Sequence, residues 1–126
     1  MIDKIFPETL KILDNLIKFQ TVSGASNLDL IQYCEEILNK SGAKSFKTFN
    51  KSSTQANLFS TIEAENANQK GIVLSGHTDV VPANPSDWAS NPYIAFKKDN
   101  KVAGHKFYIS FLLCFIRKII TMAVIW

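Results

Sequence analysis

The residues best suited to chemistry in this chain are His77 and Asp79, which stand two positions apart. They follow the apolar run 72–74 and precede a segment rich in proline and asparagine, so we expect them where a buried strand opens into a loop. In open α/β sheets, ligands bind just beyond the carboxyl ends of strands. An imidazole suits a divalent metal, and a nearby carboxylate can orient that imidazole. The pattern therefore favours a metal ligand with its orienting carboxylate, although a strand-end histidine and a turn aspartate are simpler structural interpretations.

The spacing of apolar residues and the positions of proline and glycine predict the helices and strands that must position this pair. Apolar residues at helical spacing predict a helix over residues 7–19, with Pro7 at its first helical position. Ser26 is expected to cap a second helix, with Asp29 completing a capping-box arrangement and Gly42 ending the helix. Strands are then expected at residues 44–50, 56–62 and 71–76. Helices followed by strands in this order predict an α/β layer structure.

The segment after the His-Thr-Asp motif predicts an ordered loop. Residues 82–92 contain three prolines among asparagines and aspartate, and Trp88 is the expected anchor of this loop. Phe96, followed by the polar residues 97–101, predicts a short strand that enters a turn.

Length, charge and cysteine usage exclude several classes of protein. A chain of 126 residues is long enough for one domain with a real core. The net charge of +3 originates in residues 101–126, which contain basic residues and no acidic one, so no nucleic-acid partner is expected. Cys34 and Cys114, with no secretory leader before them, predict reduced thiols and a cytoplasmic location. Cys34 fits the buried face of the second helix.

Several segments, in order along the chain, resemble a single enzyme family. They are residues 21–28, 56–62, 75–82, 87–88, 91–93 and 101–104. Together they resemble the M20 family of zinc-dependent amidohydrolases and peptidases over roughly residues 1–104. Within that family, the stretch 21–28 favours the acetylornithine deacetylase branch over the related succinyl-diaminopimelate desuccinylases.

This resemblance implies a fold, a cofactor and a substrate class. The fold would be the three-layer α/β catalytic domain of zinc-amidohydrolase type. A centre of two divalent ions, zinc or another metal, would activate water and polarise the amide carbonyl of a small N-acylated amino acid, with a glutamate as general base. By the same resemblance, His77 is a ligand of one metal ion, and Asp79 is the active-site carboxylate that orients its imidazole.

Residues 105–126 depart from the family pattern. The family continues past the position of Gly104 into a motif whose aspartate bridges the two metal ions, whereas this sequence has no acidic residue after Asp99. We therefore predict an incomplete catalytic domain at residues 1–104 and an unrelated apolar, basic tail at residues 105–126. A catalytic zinc needs about three protein ligands, and only one is matched. The chain is accordingly interpreted as a truncated relative that binds metal weakly and is inactive alone.

Two alternatives stay open at this point. In one, a separate downstream fragment completes the site in trans, and the chain is half of a split hydrolase. In the other, residues 107–126 attach a small protein to a membrane. The second is disfavoured because the charged pair at residues 117–118 interrupts the only apolar run of sufficient length.

Overall fold

The computed structural model describes residues 2–63, 71–98, 101–103, 114–116 and 119–125. Its helices and strands are α1 Ile2–Lys18, α2 Leu28–Lys40, β1 Lys44–Phe49, β2 Ala56–Glu63, β3 Gly71–His77, β4 Phe96–Lys98, β5 Lys101–Ala103, β6 Cys114–Ile116 and β7 Ile119–Ile125. Five strands form a sheet in the order β1-β2-β7-β3-β6, and β4 pairs with β5 separately. The predicted α/β class is confirmed.

Helix α1 begins earlier than the sequence predicted. Pro7 lies inside the helix instead of at its first position. Because Pro7 falls in the second turn, its missing N–H removes one hydrogen bond near the helix end without breaking the whole helix. Apolar residues such as Ile5 and Phe6 also continue the helical spacing toward the amino end, which favours the longer helix. The last of these regularly spaced apolar residues in α1 is Ile17, which is buried.

Helix α2 confirms one predicted boundary and corrects the other. It ends before Gly42, whose φ of +84° is a left-handed conformation that glycine adopts without strain. At the other end the N-cap is Asn27, not Ser26, and the Asn27 side chain makes no capping hydrogen bond. The Ser26 hydroxyl accepts a long bond of 3.4 Å from the N–H of Leu28. The predicted capping box is therefore wrong, because Asn27 is committed elsewhere.

The hydrophobic core lies between α2 and the sheet. Its buried centre, with the partly buried side chains packed against it, consists of Ile31, Ala56, Leu58, Leu28, Cys34 and Leu38. Asn15 of α1 donates a hydrogen bond to the Tyr33 hydroxyl of α2 at 3.0 Å, and Phe19, just after α1, places its ring centroid 5.6 Å from that of Tyr33. The predicted place of Cys34 on the buried helix face is confirmed.

The other face of the sheet is exposed at β1 and β2. Phe46 and Phe59 are paired across these strands, with ring centroids 5.4 Å apart. They remain 55% and 40% exposed. Among the described residues, α2 packs against one face of this part of the sheet, and the opposite face is left open. This agrees with an incomplete layer structure.

Strand β3 differs from expectation in length and burial. It extends one residue beyond the predicted end, so His77 is the last residue of the strand. Ile72 is 42% exposed and residues 73–76 are half-buried, so the strand is not fully buried as predicted. Its neighbour β7 runs parallel to β3 and antiparallel to β2.

Strand β7 gives residues 119–125 a place in the sheet that no sequence pattern indicated. The proposed boundary at residues 104 and 105 stays a prediction, and His105 lies outside the described residues. In the described part of the chain, no helix is long and apolar enough to cross a membrane.

The loop before β4 begins with a 3₁₀ turn at Pro85–Asp87, where the Asn84 side chain accepts a hydrogen bond from the N–H of Ser86. Pro92 is fully buried and Trp88 is 37% exposed. The anchoring role of Trp88 stays a prediction. Strand β4 confirms the strand predicted from Phe96.

Candidate metal-ligand site

The loop that carries the candidate residues is fixed by a second loop, residues 21–23. Val22 and Val80 form an isolated parallel bridge. The N–H of Val80 donates to the carbonyl of Thr21 at 2.9 Å, and the N–H of Ser23 donates to the carbonyl of Val80 at 3.1 Å. The two segments therefore behave as a very short parallel strand pair at the carboxyl end of β3. Backbone geometry, and not packing alone, sets the position of Asp79.

A buried pair of threonines strengthens this junction. The Thr21 hydroxyl donates to the carbonyl of Thr78 at 2.5 Å, and both residues are buried, with 2% and 5% of their surface exposed. The Thr78 hydroxyl has no hydrogen-bond partner among the described residues. Buried hydroxyls are normally hydrogen-bonded because an unpaired one loses its bonds to water.

His77 and Asp79 meet directly at the end of β3. Nδ1 of His77 lies 2.8 Å from Oδ1 of Asp79, and their side chains are 40% and 35% exposed. An ionised carboxylate can only accept, so in the neutral imidazole the geometry assigns the proton to Nδ1 and the lone pair to Nε2. An imidazole held in this way can offer Nε2 to a metal ion.

The charge of Asp79 is stabilised from two sides. The Ser23 hydroxyl donates to Oδ2 of Asp79 at 2.8 Å. This bond is the largest cause that holds the pKa of Asp79 below its ordinary value. The hydrogen bond and charge of His77 act in the same direction, and partial burial opposes them. Asp79 is therefore an anion throughout the neutral range and can polarise the imidazole.

The structure brings together both residues that the sequence singled out. It also adds Ser23 and Thr21, which the sequence indicates only as members of the motif at residues 21–28. Their polar side chains before a helix gave a signal of loop chemistry, but nothing local connected them with residues 78–80. The metal-ligand role of His77 and the active-site role of Asp79 stay predictions.

The described residues provide one ligand position and not a complete metal centre. Among them, no three His, Cys, Asp or Glu side chains form a group that could hold a metal ion. A zinc centre in an enzyme typically takes about three protein ligands. The chemistry of the His77–Asp79 pair thus fits one part of such a centre, and the remaining ligands would have to come from elsewhere.

An α/β layer structure with an oriented histidine at a strand end is compatible with a metallohydrolase, and sequence comparison narrows the class. The chain is 30% identical over 109 residues to acetylornithine deacetylase of Buchnera aphidicola subsp. Schizaphis graminum, which covers 82% of this chain and 28% of that protein. It is 31% identical over 107 residues to succinyl-diaminopimelate desuccinylase of Delftia acidovorans, covering 76% and 25%. The chain thus spans about a quarter of the length of these relatives.

The fold has a counterpart among solved structures. The crystal structure of human carnosine dipeptidase 1 superposes with a TM-score of 0.66 at 19% identity, over 82% of this chain and 25% of that chain. This likeness concerns the fold. Searched against models of known protein families, the chain matches none. The predicted resemblance to a part of the M20 metallohydrolases is confirmed by these named relatives.

Proposed function

We propose that this chain carries the first metal ligand of an M20-type amidohydrolase of the acetylornithine deacetylase kind. His77 would bind one of two divalent ions, zinc in the first instance, through Nε2. The observation that carries the proposal is the 2.8 Å contact between Nδ1 of His77 and Oδ1 of Asp79. That contact sets the tautomer a metal ligand needs, at the strand end where ligands bind in α/β sheets.

The contribution of this chain to the reaction is orientation. When bound, a two-metal centre supplies an activated water and a polarised amide carbonyl. Asp79 accepts a hydrogen bond from the Nδ1–H of His77, keeps the ring from rotating and raises the basicity of Nε2. Residues 21–23 hold Asp79 in place through the backbone bonds to Val80. The substrate class would be a small N-acylated amino acid, as the names of the two enzyme relatives state for them.

We further propose that the 126-residue chain does not hydrolyse such a substrate alone. A single ligand does not hold zinc tightly, since catalytic sites use about three. We also propose a cytoplasmic location, because the sequence predicts that its two cysteines are reduced.

A second candidate function is completion of the site in trans by a downstream fragment. Two observations favour it. Phe46 and Phe59 leave an apolar face of the sheet exposed, and the buried hydroxyl of Thr78 has no partner among the described residues. Both are positions where a further segment could pack or donate a hydrogen bond.

The test compares the chain alone with the chain plus a complementing piece. The purified 126-residue protein is incubated with Zn²⁺ and either N-acetylornithine or N-succinyl-diaminopimelate, and release of acetate or succinate is measured. No release is expected. The assay is repeated with the part of the Buchnera relative that lies beyond the matched region, and with a His77→Ala variant of this chain as the matched control.

The outcomes separate the proposals. Zinc-dependent release of acetate by the chain alone contradicts the predicted inactivity. Release that needs both pieces and is lost in His77→Ala supports the ligand role and completion in trans. Release from both pieces that persists in His77→Ala removes the ligand role. No release from the combined pieces argues against completion in trans.

A further inference from the structure

Ser23 contacts the candidate pair from a distant part of the sequence. Its hydroxyl donates to Oδ2 of Asp79 at 2.8 Å, which is the carboxylate oxygen that His77 does not use. Ser23, Asp79 and His77 therefore form a continuous hydrogen-bonded row. The serine is at the outer end of the row, and the free Nε2 of the imidazole is at the other.

The row matters because an aspartate carboxylate turns easily. Its terminal torsion is broad and has no single sharp minimum. Asp79 is 35% exposed, so packing does not immobilise it. With one partner the carboxylate could rotate and exchange oxygens, whereas with Ser23 on Oδ2 and His77 on Oδ1 a rotation breaks both bonds.

We propose that Ser23 is a positioning residue for His77. Its hydroxyl fixes the Asp79 carboxylate, and the carboxylate keeps the imidazole proton on Nδ1 and the lone pair on Nε2. The consequence for metal binding rests on the proposed function above. The effect on the imidazole itself does not, because it belongs to the chain without metal.

The surrounding backbone makes this role separable from loop folding. The Val80 N–H is held by Thr21, the Ser23 N–H by Val80, and the Thr21 hydroxyl by Thr78. None of these bonds uses the Ser23 hydroxyl. Replacing the exposed Ser23 by alanine therefore removes one bond to Asp79 and leaves the connection between the two loops intact.

The experiment reads the imidazole directly. The full chain is prepared with His105→Gln, which leaves His77 as the only histidine, and its ring ¹⁵N shifts are recorded at pH 8, where the tautomer ratio is observed. The His105→Gln chain with Ser23 unchanged should show the Nδ1–H form of His77. Ser23→Ala should shift the ring toward the Nε2–H form, and Ser23→Thr, which restores a hydroxyl, should return it. Ser26→Ala, in the same loop, is the matched control and should leave the ring unchanged.

A Zn²⁺ titration of the same His77 signals supplies the second readout. Loss of a partner of a metal-binding histidine costs roughly 10–100-fold in affinity, so loss of Ser23, one bond further out, should weaken binding at His77 by about 3–10-fold. Asp79→Asn should change the ring in the same direction as Ser23→Ala.

An unchanged tautomer in Ser23→Ala would overturn the inference. So would an equal change in Ser26→Ala, because the effect would then belong to the loop in general. A tautomer that shifts as expected in a chain whose His77 signals ignore Zn²⁺ supports the role of Ser23, which belongs to the metal-free imidazole. The ligand role is then decided by the two-piece assay with His77→Ala.

Discussion

Asn27 is the residue whose removal should most disturb the framework of the site. Its side chain is 1% exposed and makes two hydrogen bonds of 2.8 Å with Ala56, accepting from its N–H and donating to its carbonyl. In a strand, these two groups point the same way. Strand β7 begins its pairing with β2 only at Leu58, so the Asn27 amide takes the place of a neighbouring strand at Ala56.

The cost of Asn27→Ala follows from this arrangement. Ala56 is 3% exposed, so water does not replace the lost partners. Each buried backbone group left unpaired costs about 1–3 kcal/mol, and two of them together give about 2–6 kcal/mol of lost unfolding free energy. Against a total of about 5–15 kcal/mol for a typical domain, this change is large.

Urea unfolding followed by far-ultraviolet circular dichroism measures the effect. Asn27→Asp should be at least as destabilising, because its second oxygen faces the carbonyl of Ala56 and its charge is buried. Ser26→Ala is the control, since the Ser26 hydroxyl accepts one bond of 3.4 Å, and a change within about 0.5 kcal/mol is expected. A loss below about 1 kcal/mol in Asn27→Ala, with the same slope against urea, would refute the reasoning.

Three further changes test electrostatics and burial. Because folding lowers the pKa of Asp79, its ionised carboxylate stabilises the folded chain at pH values above the ordinary pKa of 3.8. This stabilisation is lost as the pH falls through the lower pKa of the folded state. Asp79→Asn should remove this contribution to the pH dependence of urea unfolding between about pH 2 and 6. Burial raises the pKa of Cys34 from 9.0 to about 11, so in a Cys114→Ser chain iodoacetamide at pH 8.5 should react far more slowly with the folded than with the unfolded protein. Oε2 of Glu35 lies 2.6 Å from Nζ of Lys47, and both side chains are mostly buried. Glu35→Gln removes the negative charge of this pair and should lower the unfolding free energy by about 1 kcal/mol, and by less in 1 M salt. An unchanged unfolding free energy, or a loss that does not depend on salt, would contradict the pairing.

Local patterns predicted the elements wherever neighbouring residues decide the outcome. The α2 face of Ile31 and Cys34 was predicted from helical spacing, and its end at Gly42 from the conformational freedom of glycine. The start of α1 was missed because Pro7 favours a first position but tolerates the second turn. The half-exposed β3 was missed because apolar content alone does not reveal what covers a strand.

The sequence by itself kept His77 and Asp79 close together, since a single residue separates them at the end of β3. It also determined the family resemblance, because ordered motifs survive without the rest of the chain. Only the tertiary structure decided that Ser23 holds Asp79 across a separation of 56 positions and that Asn27 pairs with Ala56 across 29. A serine or asparagine before a helix can equally well cap that helix, lie in a loop or hydrogen-bond a distant segment. Which of these they become depends on where the folded chain places a distant backbone.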